Sequence, residues 1–320
     1  MPQKIAILDT GYESYEYEKR ILEEAGYELQ IFPGERNDRQ DKLELAKDAV
    51  GLMIRWTNID EEFLQASPNL KAIVRYGVGY DNVDLEAATR HNVKVANVQG
   101  YANHSVSDHA LAMIFACARA LPRGEQLVKT QFAKPPSKQI LELHDKTLGI
   151  IGLGRIGGTL CKKTQSLFKR VLATDPYISQ ERFIELGASQ TNLDDLLGQS
   201  DVISIHCNLT RETEGLIDKN KLQLMGNNAI LINTARGSVV NEKDLLAALQ
   251  SGKLHSLGLD VYADEPPSTR QNDLIDHPQV IGTGHYAWYS TKSISELQKR
   301  ATDNLLNLLQ GGIPEDCLNS

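Results

Sequence analysis

Short apolar runs alternate with polar stretches of helical spacing along most of the chain. At residues 5–8, 27–32, 51–54, 71–74 and 93–95 the runs are strand-length and predict strands. Glu- and Lys-rich segments at 16–25 and 60–66 lie between them and predict helices. Such alternation predicts a parallel sheet with helices on both faces. A mostly apolar stretch at 105–121 predicts one long helix stopped by Pro122, and 133–137, with Pro135 and Pro136, predicts a loop.

A second series starts at Leu148, with strands predicted at 149–151, 171–174, 202–205, 229–232, 256–259 and 280–281 and a closing helix at 293–309. Six strands suit a complete dinucleotide-binding unit. The two halves are not a repeat, because a glycine turn marks only the second. The expectation is an α/β protein of two domains with a ligand-binding cleft between them.

The glycine turn is the most specific local signal. Leu148-Gly149-Ile150-Ile151 runs straight into Gly152-Leu153-Gly154-Arg155-Ile156-Gly157. Gly152 suits the tight turn, Gly154 a close approach of backbone to a pyrophosphate, and Gly157 the packing of helix on strand. The helix start adds N–H groups and a positive dipole end. The next strand ends in Asp175, eighteen residues after Gly157, where a carboxylate can accept from ribose hydroxyls. That charge would repel a 2′-phosphate and Pro176-Tyr177 brings no arginine, so NAD is expected over NADP.

Bulk properties narrow the partners. At 320 residues the chain has room for two domains, and 41% hydrophobic with 24% charged residues is ordinary for a globular protein. A net charge of −8 argues against nucleic acid or an acidic membrane as partner. No run is long enough to span a bilayer, and Met1-Pro2-Gln3-Lys4 does not read as a signal peptide. Cys117, Cys161, Cys207 and Cys317 form no Cys-x-x-Cys pair, so buried free thiols, no metal site and a cytoplasmic setting are expected.

Three polar clusters stand at strand ends, where open parallel sheets place ligands. Asn233-Thr234-Ala235-Arg236-Gly237 offers a guanidinium fork for a carboxylate. Asp260 ends the following strand, with Glu265 before Pro266-Pro267. His285 follows Val280-Ile281-Gly282-Thr283-Gly284, and a histidine suits proton exchange near neutrality when a carboxylate steadies its charged form. Singly, each reads as a surface arginine, a turn glutamate or a structural histidine. Together, beside a nicotinamide site, they suit reduction of a 2-oxo acid.

Five ordered motifs carry a resemblance: Arg75-Tyr76-Gly77-Val78-Gly79-Tyr80-Asp81-Asn82-Val83-Asp84, the Gly152 turn, Asn233 to Gly237, Leu259-Asp260-Val261-Tyr262 with Glu265-Pro266, and Gly284-His285-Tyr286-Ala287-Trp288-Tyr289-Ser290. Through them nearly the whole chain resembles the D-isomer-specific 2-hydroxyacid dehydrogenase family. Arg75-Tyr76-Gly77 and Ala287 to Ser290 resemble the branch of the C-terminal-binding-protein corepressors and their enzyme relatives, and phosphoglycerate dehydrogenase is a more distant likeness. The family pattern commonly has Pro at the positions of Gly284 and Asn208; Gly284 is expected to loosen the histidine loop.

The resemblance implies a flavodoxin-like parallel-sheet substrate domain of residues 1–100 plus 287–320 and a Rossmann NAD-binding domain of residues 101–286. It implies NAD-dependent interconversion of a small D-2-hydroxy acid and its 2-oxo acid, with Arg236, Glu265 and His285 catalytic. Arg236 would hold the substrate's carboxylate and keto oxygen, His285 would protonate that oxygen, and Glu265 would raise the histidine's proton affinity. The cofactor would meet Gly152, Gly154, Arg155, Ile156, Gly157, Asp175, His206, Cys207, Thr234, Ala235, Arg236, Asp260 and His285, with Asp260 on the nicotinamide amide. Backbone N–H groups around Val78 and Gly79 would take the substrate carboxylate. Trp288 reads either as a pocket floor or as a packing aromatic, and Arg55 either as a second anion contact or as a surface arginine. A homodimer through residues 105–121 is also implied. The alternative is an NADH-responsive protein-binding module like the corepressors, which lacks support from any long disordered tail in this sequence.

Overall fold

A computed structural model describes residues 2–34, 38–130, 132, 140–267 and 272–319. The loop expected at 133–137 lies outside them. The chain divides into two compact units, Met1–Tyr101 with Ser290–Ser320, and Ala102–Tyr289.

The first unit opens with β1 (Gln3–Ile7), α1 (Glu16–Glu24), β2 (Tyr27–Ile31), α2 (Arg39–Ala46), β3 (Ala49–Ile54), α3 (Glu61–Gln65), β4 (Ala72–Arg75), α4 (Leu85–Arg90) and β5 (Lys94–Ala96). Its parallel sheet has the order β2-β1-β3-β4-β5, the flavodoxin-like arrangement. Every residue of β3 is buried, as a central strand covered on both faces requires. Ala6, Leu52, Ile54, Phe63, Ile73 and Val95 share the core on one side. Asp60 and Asp84 start α3 and α4 by accepting from Phe63 N at 3.0 Å and Ala87 N at 2.8 Å, satisfying amides that a helix start leaves unpaired.

The second unit runs α5 (Asn103–Ala118), α6 (Leu121–Thr130), β6 (Thr147–Ile151), α7 (Arg155–Thr164), β7 (Arg170–Thr174), α8 (Gln180–Leu186), β8 (Ser189–Gln190), α9 (Leu193–Gln199), β9 (Val202–Ile205), α10 (Lys219–Leu224), β10 (Ala229–Asn233), α11 (Glu242–Gln250), β11 (Leu254–Leu259), α12 (Asn272–Ile275) and β12 (Val280–Gly282). The helix α13 (Thr291–Leu309) then returns to the first unit, where Leu305 and Leu309 pack over Gly51; a Cβ at Gly51 would lie 3.2 Å from each. Ser290 and Ser293 form a reciprocal capping box at its start.

The second sheet is parallel in the order β12-β11-β10-β9-β6-β7-β8, a Rossmann order with one strand added. Successive residues feed opposite cores: Val202, Ile230 and Ile232 on one side, Ile203, Ile205 and Leu231 on the other. The direction of winding reverses between β6 and β9, so the ligand-binding crevice of this fold class falls at the end of β6.

Three expectations need correction. A seventh strand, β8, joins the six; its two exposed residues, Ser189 and Gln190, are too short and polar to show alternation. Pro122 does not stop the long helix. The helix α5 ends at Ala118, Ala120 turns the chain at φ 51°, and Pro122 lies in the first turn of α6, where its missing N–H has no partner to lose. Of the four free cysteines, Cys117 and Cys161 are buried but Cys207 and Cys317 are only partly so. Among the described residues no helix is long and apolar enough to cross a membrane, and no cluster could hold a metal ion.

Candidate dinucleotide and catalytic site

The glycine turn closes against the neighbouring strand ends. Gly152 has φ +88°, and a Cβ there would lie 2.6 Å from Cys207 N, two residues past the end of β9. At Gly157 a Cβ would meet Gly152 O at 2.1 Å, so the first turn of α7 can press on β6 only without a side chain. Gly154, the extended residue before α7, faces open space, with nothing within 4 Å of a built Cβ. The three glycines therefore differ in kind: two are required by close packing, one leaves the helix start accessible.

Asp175, at the end of β7, accepts from Leu153 N at 2.9 Å and Tyr177 N at 3.0 Å. One carboxylate oxygen thus fixes the turn and the other its own loop, and lone pairs remain for further donors. Across the switch point, His206 N donates to Ile151 O at 2.7 Å, and the His206 Nε2 lies 2.8 Å from Ser204 Oγ. Burial pushes the His206 imidazole down to about 4, so the ring is neutral at neutral pH. Its Nδ1 and the Oγ1 of Thr234 are buried without partners among the described residues. Buried polar atoms of this kind call for a ligand or water.

At the end of β10, Asn233 wraps the following loop on itself. Its Oδ1 accepts from Ala235 N at 3.0 Å and its Nδ2 donates to Arg236 O at 2.9 Å. Gly237 follows because a Cβ would overlap the Tyr262 backbone at 1.9 Å. The Arg236 guanidinium donates to Ala235 O at 2.8 Å, and its charge reaches Glu265.

Glu265 and His285 come together as the sequence suggests. Glu265 Oε2 lies 2.6 Å from His285 Nδ1, and Oε1 accepts from Tyr262 N at 3.1 Å. Burial pushes the Glu265 carboxyl up, but the His285 hydrogen bond and charge, the Tyr262 amide and Arg236 together outweigh it, holding the carboxyl below its ordinary value. With Nδ1 engaged, Nε2 is the ring nitrogen left to exchange a proton.

The backbone strain sits on His285 itself, with φ 55°, while Gly284 stays outside the left-handed region. Gly284 is therefore not required by its own backbone angle, and a Cβ there would meet open space. A left-handed non-glycine residue costs on the order of 1–3 kcal/mol and persists only where its surroundings hold it. Asp260, almost fully buried, supplies the hold. Its backbone O accepts from His285 N at 2.7 Å, and its carboxylate accepts from Tyr286 N at 3.1 Å, Ala287 N at 2.9 Å and the Thr283 hydroxyl at 2.5 Å. Trp288 donates its indole N–H to His285 O at 2.9 Å and packs edge-on to Tyr289. Thr283 was missed by the sequence reading, as was His109 on α5, which lies 3.0 Å from the Thr283 hydroxyl.

In the first unit, Arg55 is not a surface arginine. It is 7% exposed, with its guanidinium 4.8 Å from the Tyr12 ring and 3.9 Å from the Trp56 ring, and it donates to Thr10 O. The Asp9 carboxylate beneath it accepts from the backbone N–H groups of Arg55, Trp56 and Thr57 and from Lys42 at 2.8 Å. Burial alone would raise the Asp9 carboxyl; these donors bring it below its ordinary value. Val78 and Gly79 follow β4, and their amide N–H groups have no hydrogen-bond partner among the described residues.

The chain has relatives among known proteins. Residues 111–287 match the family model for the D-isomer specific 2-hydroxyacid dehydrogenase, NAD binding domain. The chain is 38% identical to D-3-phosphoglycerate dehydrogenase of Archaeoglobus fulgidus over 80% of its own length and 48% of that protein. It is 33% identical to glyoxylate reductase of Korarchaeum cryptofilum, over 87% of this chain and 85% of that one. Among solved structures, D-lactate dehydrogenase of Aquifex aeolicus complexed with NAD and lactic acid superposes with a TM-score of 0.90 at 29% identity, covering 99% of both chains. The chain spans about half the length of the phosphoglycerate dehydrogenases it matches.

Proposed function

The chain belongs to the D-isomer-specific 2-hydroxyacid dehydrogenase family, and from that membership we propose that it is an oxidoreductase interconverting a small D-2-hydroxy acid and its 2-oxo acid. The observation that carries the reading is the 2.6 Å contact of His285 Nδ1 with a Glu265 carboxylate held charged. NAD is the cofactor of the matched domain. Its fit rests on the open helix start at Gly154 and on the unpartnered Thr234 and His206 atoms. Gly152, Gly154, Arg155, Ile156 and Gly157 would hold the pyrophosphate, Asp175 the ribose, and His206 and Cys207 the adenine side. Thr234, Ala235 and Asp260 would hold the nicotinamide end. When bound as NADH the cofactor supplies the hydride.

The residues of the chain do the rest. Arg236 presents a planar fork to the substrate's carboxylate and keto oxygen, a geometry that lysine lacks. His285 Nε2 delivers a proton to that oxygen as it becomes a hydroxyl, and Glu265 stabilises the imidazolium before the transfer. Oxidation reverses the sequence, with neutral His285 accepting the hydroxyl proton. Arg55, Val78, Gly79 and Trp288 are proposed substrate contacts. A homodimer through residues 105–121 is proposed, on the exposure of Phe115 and Leu121 within that stretch.

The test is NADH oxidation with a panel of 2-oxo acids that includes glyoxylate, pyruvate, a phosphorylated acid and a sulfur-bearing one. Turnover of at least one member is expected. His285→Ala should lower kcat by about a hundredfold or more, the usual worth of positioned acid–base catalysis, while NADH still binds. An inert parent across the panel, or a His285 variant with parental kcat, would overturn the reading.

A further inference from the structure

The His285 loop is held at both ends by a single side chain from α5. His109 Nε2 lies 3.0 Å from Thr283 Oγ1, two residues before His285, and its ring meets that of Tyr286, one residue after, edge-on at 5.3 Å between centroids. The Thr283 hydroxyl donates its one hydrogen to Asp260 Oδ1 at 2.5 Å. It can therefore only accept from His109, which fixes the proton of His109 on Nε2. Asp260 Oδ1 lies 3.7 Å from the same Nε2, too far for a direct bond, so the threonine is a relay. From Asp260 the chain of bonds continues to Tyr286 N, Ala287 N and His285 N.

We propose that His109 is a positioning residue for the reaction, acting through Thr283 and the Asp260 carboxylate to hold His285 in its left-handed conformation. The inference rests on the reading of His285 as the proton donor. Asp260 has about four lone-pair sites, and the loop takes three of them. Its principal work is therefore on the loop, with one site left over for a nicotinamide amide. His109 orients the threonine hydroxyl that fills the first of the three. Without that donor the hydroxyl is free to rotate away, one bond to the carboxylate is lost, and the strained backbone at His285 loses part of what holds it.

Two variants separate the hydrogen bond from the packing. His109→Phe keeps a ring against Tyr286 and removes the N–H; His109→Gln removes the ring and keeps an N–H donor. Loss of a hydrogen bond to a charged acceptor corresponds to about a tenfold effect, so kcat in His109→Phe should fall about tenfold, with KM for the 2-oxo acid and NADH affinity near parental. Amide exchange at Tyr286 and Ala287 should quicken by a similar factor in the same variant, without any substrate present. His109→Gln should restore most of both, and Thr283→Val should copy His109→Phe. Parental kcat and exchange in His109→Phe would overturn the proposal, as would equal losses in the Phe and Gln variants, which would mark a packing role. An inert parent would count against the dehydrogenase reading alone, because the exchange rates judge the His109 relay independently.

Discussion

Glu265 stays charged although it is mostly buried, because a histidine, an amide and an arginine surround it. Glu265→Gln keeps the shape and removes the charge. The proton of the Glu265–His285 pair then loses its charged neighbour, so it should leave at lower pH. Reduction needs that proton, so its rate should begin to decline at lower pH in the variant. Oxidation needs a neutral imidazole and should switch on at lower pH. Both limbs of kcat/KM against pH are therefore expected to move toward acid, and a variant profile that overlays the parent would reduce Glu265 to a turn residue. The positions of His285, Glu265, Arg236 and Asp175 were legible in the sequence because each stands at or shortly after the C-terminal end of an apolar run. His109 was not. It sits inside a helix whose apolar spacing makes it one more packing position, and its partner Thr283 is 174 residues away.

Elements were legible where their patterns are long. The central strands announce themselves as unbroken apolar runs, whereas β8 is two polar residues whose place is set only by pairing with β7. The break between α5 and α6 was hidden because the apolar stretch continues past it and a proline suits the end of one helix and the start of another equally. The turn from β6 into α7 offers a test at this scale. A side chain at Gly157 collides with backbone, so Gly157→Ala should destabilise the protein by about 1–3 kcal/mol and weaken NADH binding with it. Gly154→Ala has open space and an ordinary φ, so thermal stability should be near parental while NADH affinity falls. Thermal melts beside NADH titrations distinguish the two. Parental NADH affinity in Gly154→Ala would show that the turn does not cradle the pyrophosphate.

At the scale of the whole molecule, the two units should respond differently to acid. In the second unit His206 is held neutral down to about 4, whereas an unfolded histidine takes up its proton near 6.5. Its contribution is complete above pH 6.5 and is lost as pH falls from there to about 4, in total about 3 kcal/mol. In the first unit Asp9 is held below the ordinary carboxyl value of 3.8, so its contribution persists until pH falls through that value and below. Denaturant melts of the parent at pH 7 and pH 4.5 should show a loss that His206→Asn largely removes. An equal loss in that variant would assign the acid sensitivity to other groups.

The first unit is assembled from two stretches of chain, and the later one supplies α13 over β3 and β4. During synthesis the early sheet must wait while residues 102–289 are made, roughly ten to forty seconds at ordinary ribosomal rates. Through that interval the face that Leu305 and Leu309 will cover is open, an apolar surface of the kind that draws other chains. The second unit is one continuous stretch and can close as it emerges. The nascent chain therefore carries a finished nucleotide fold behind an unfinished sheet, and its yield in the cell should depend more on chaperones that shield that face than on the stability of the completed protein.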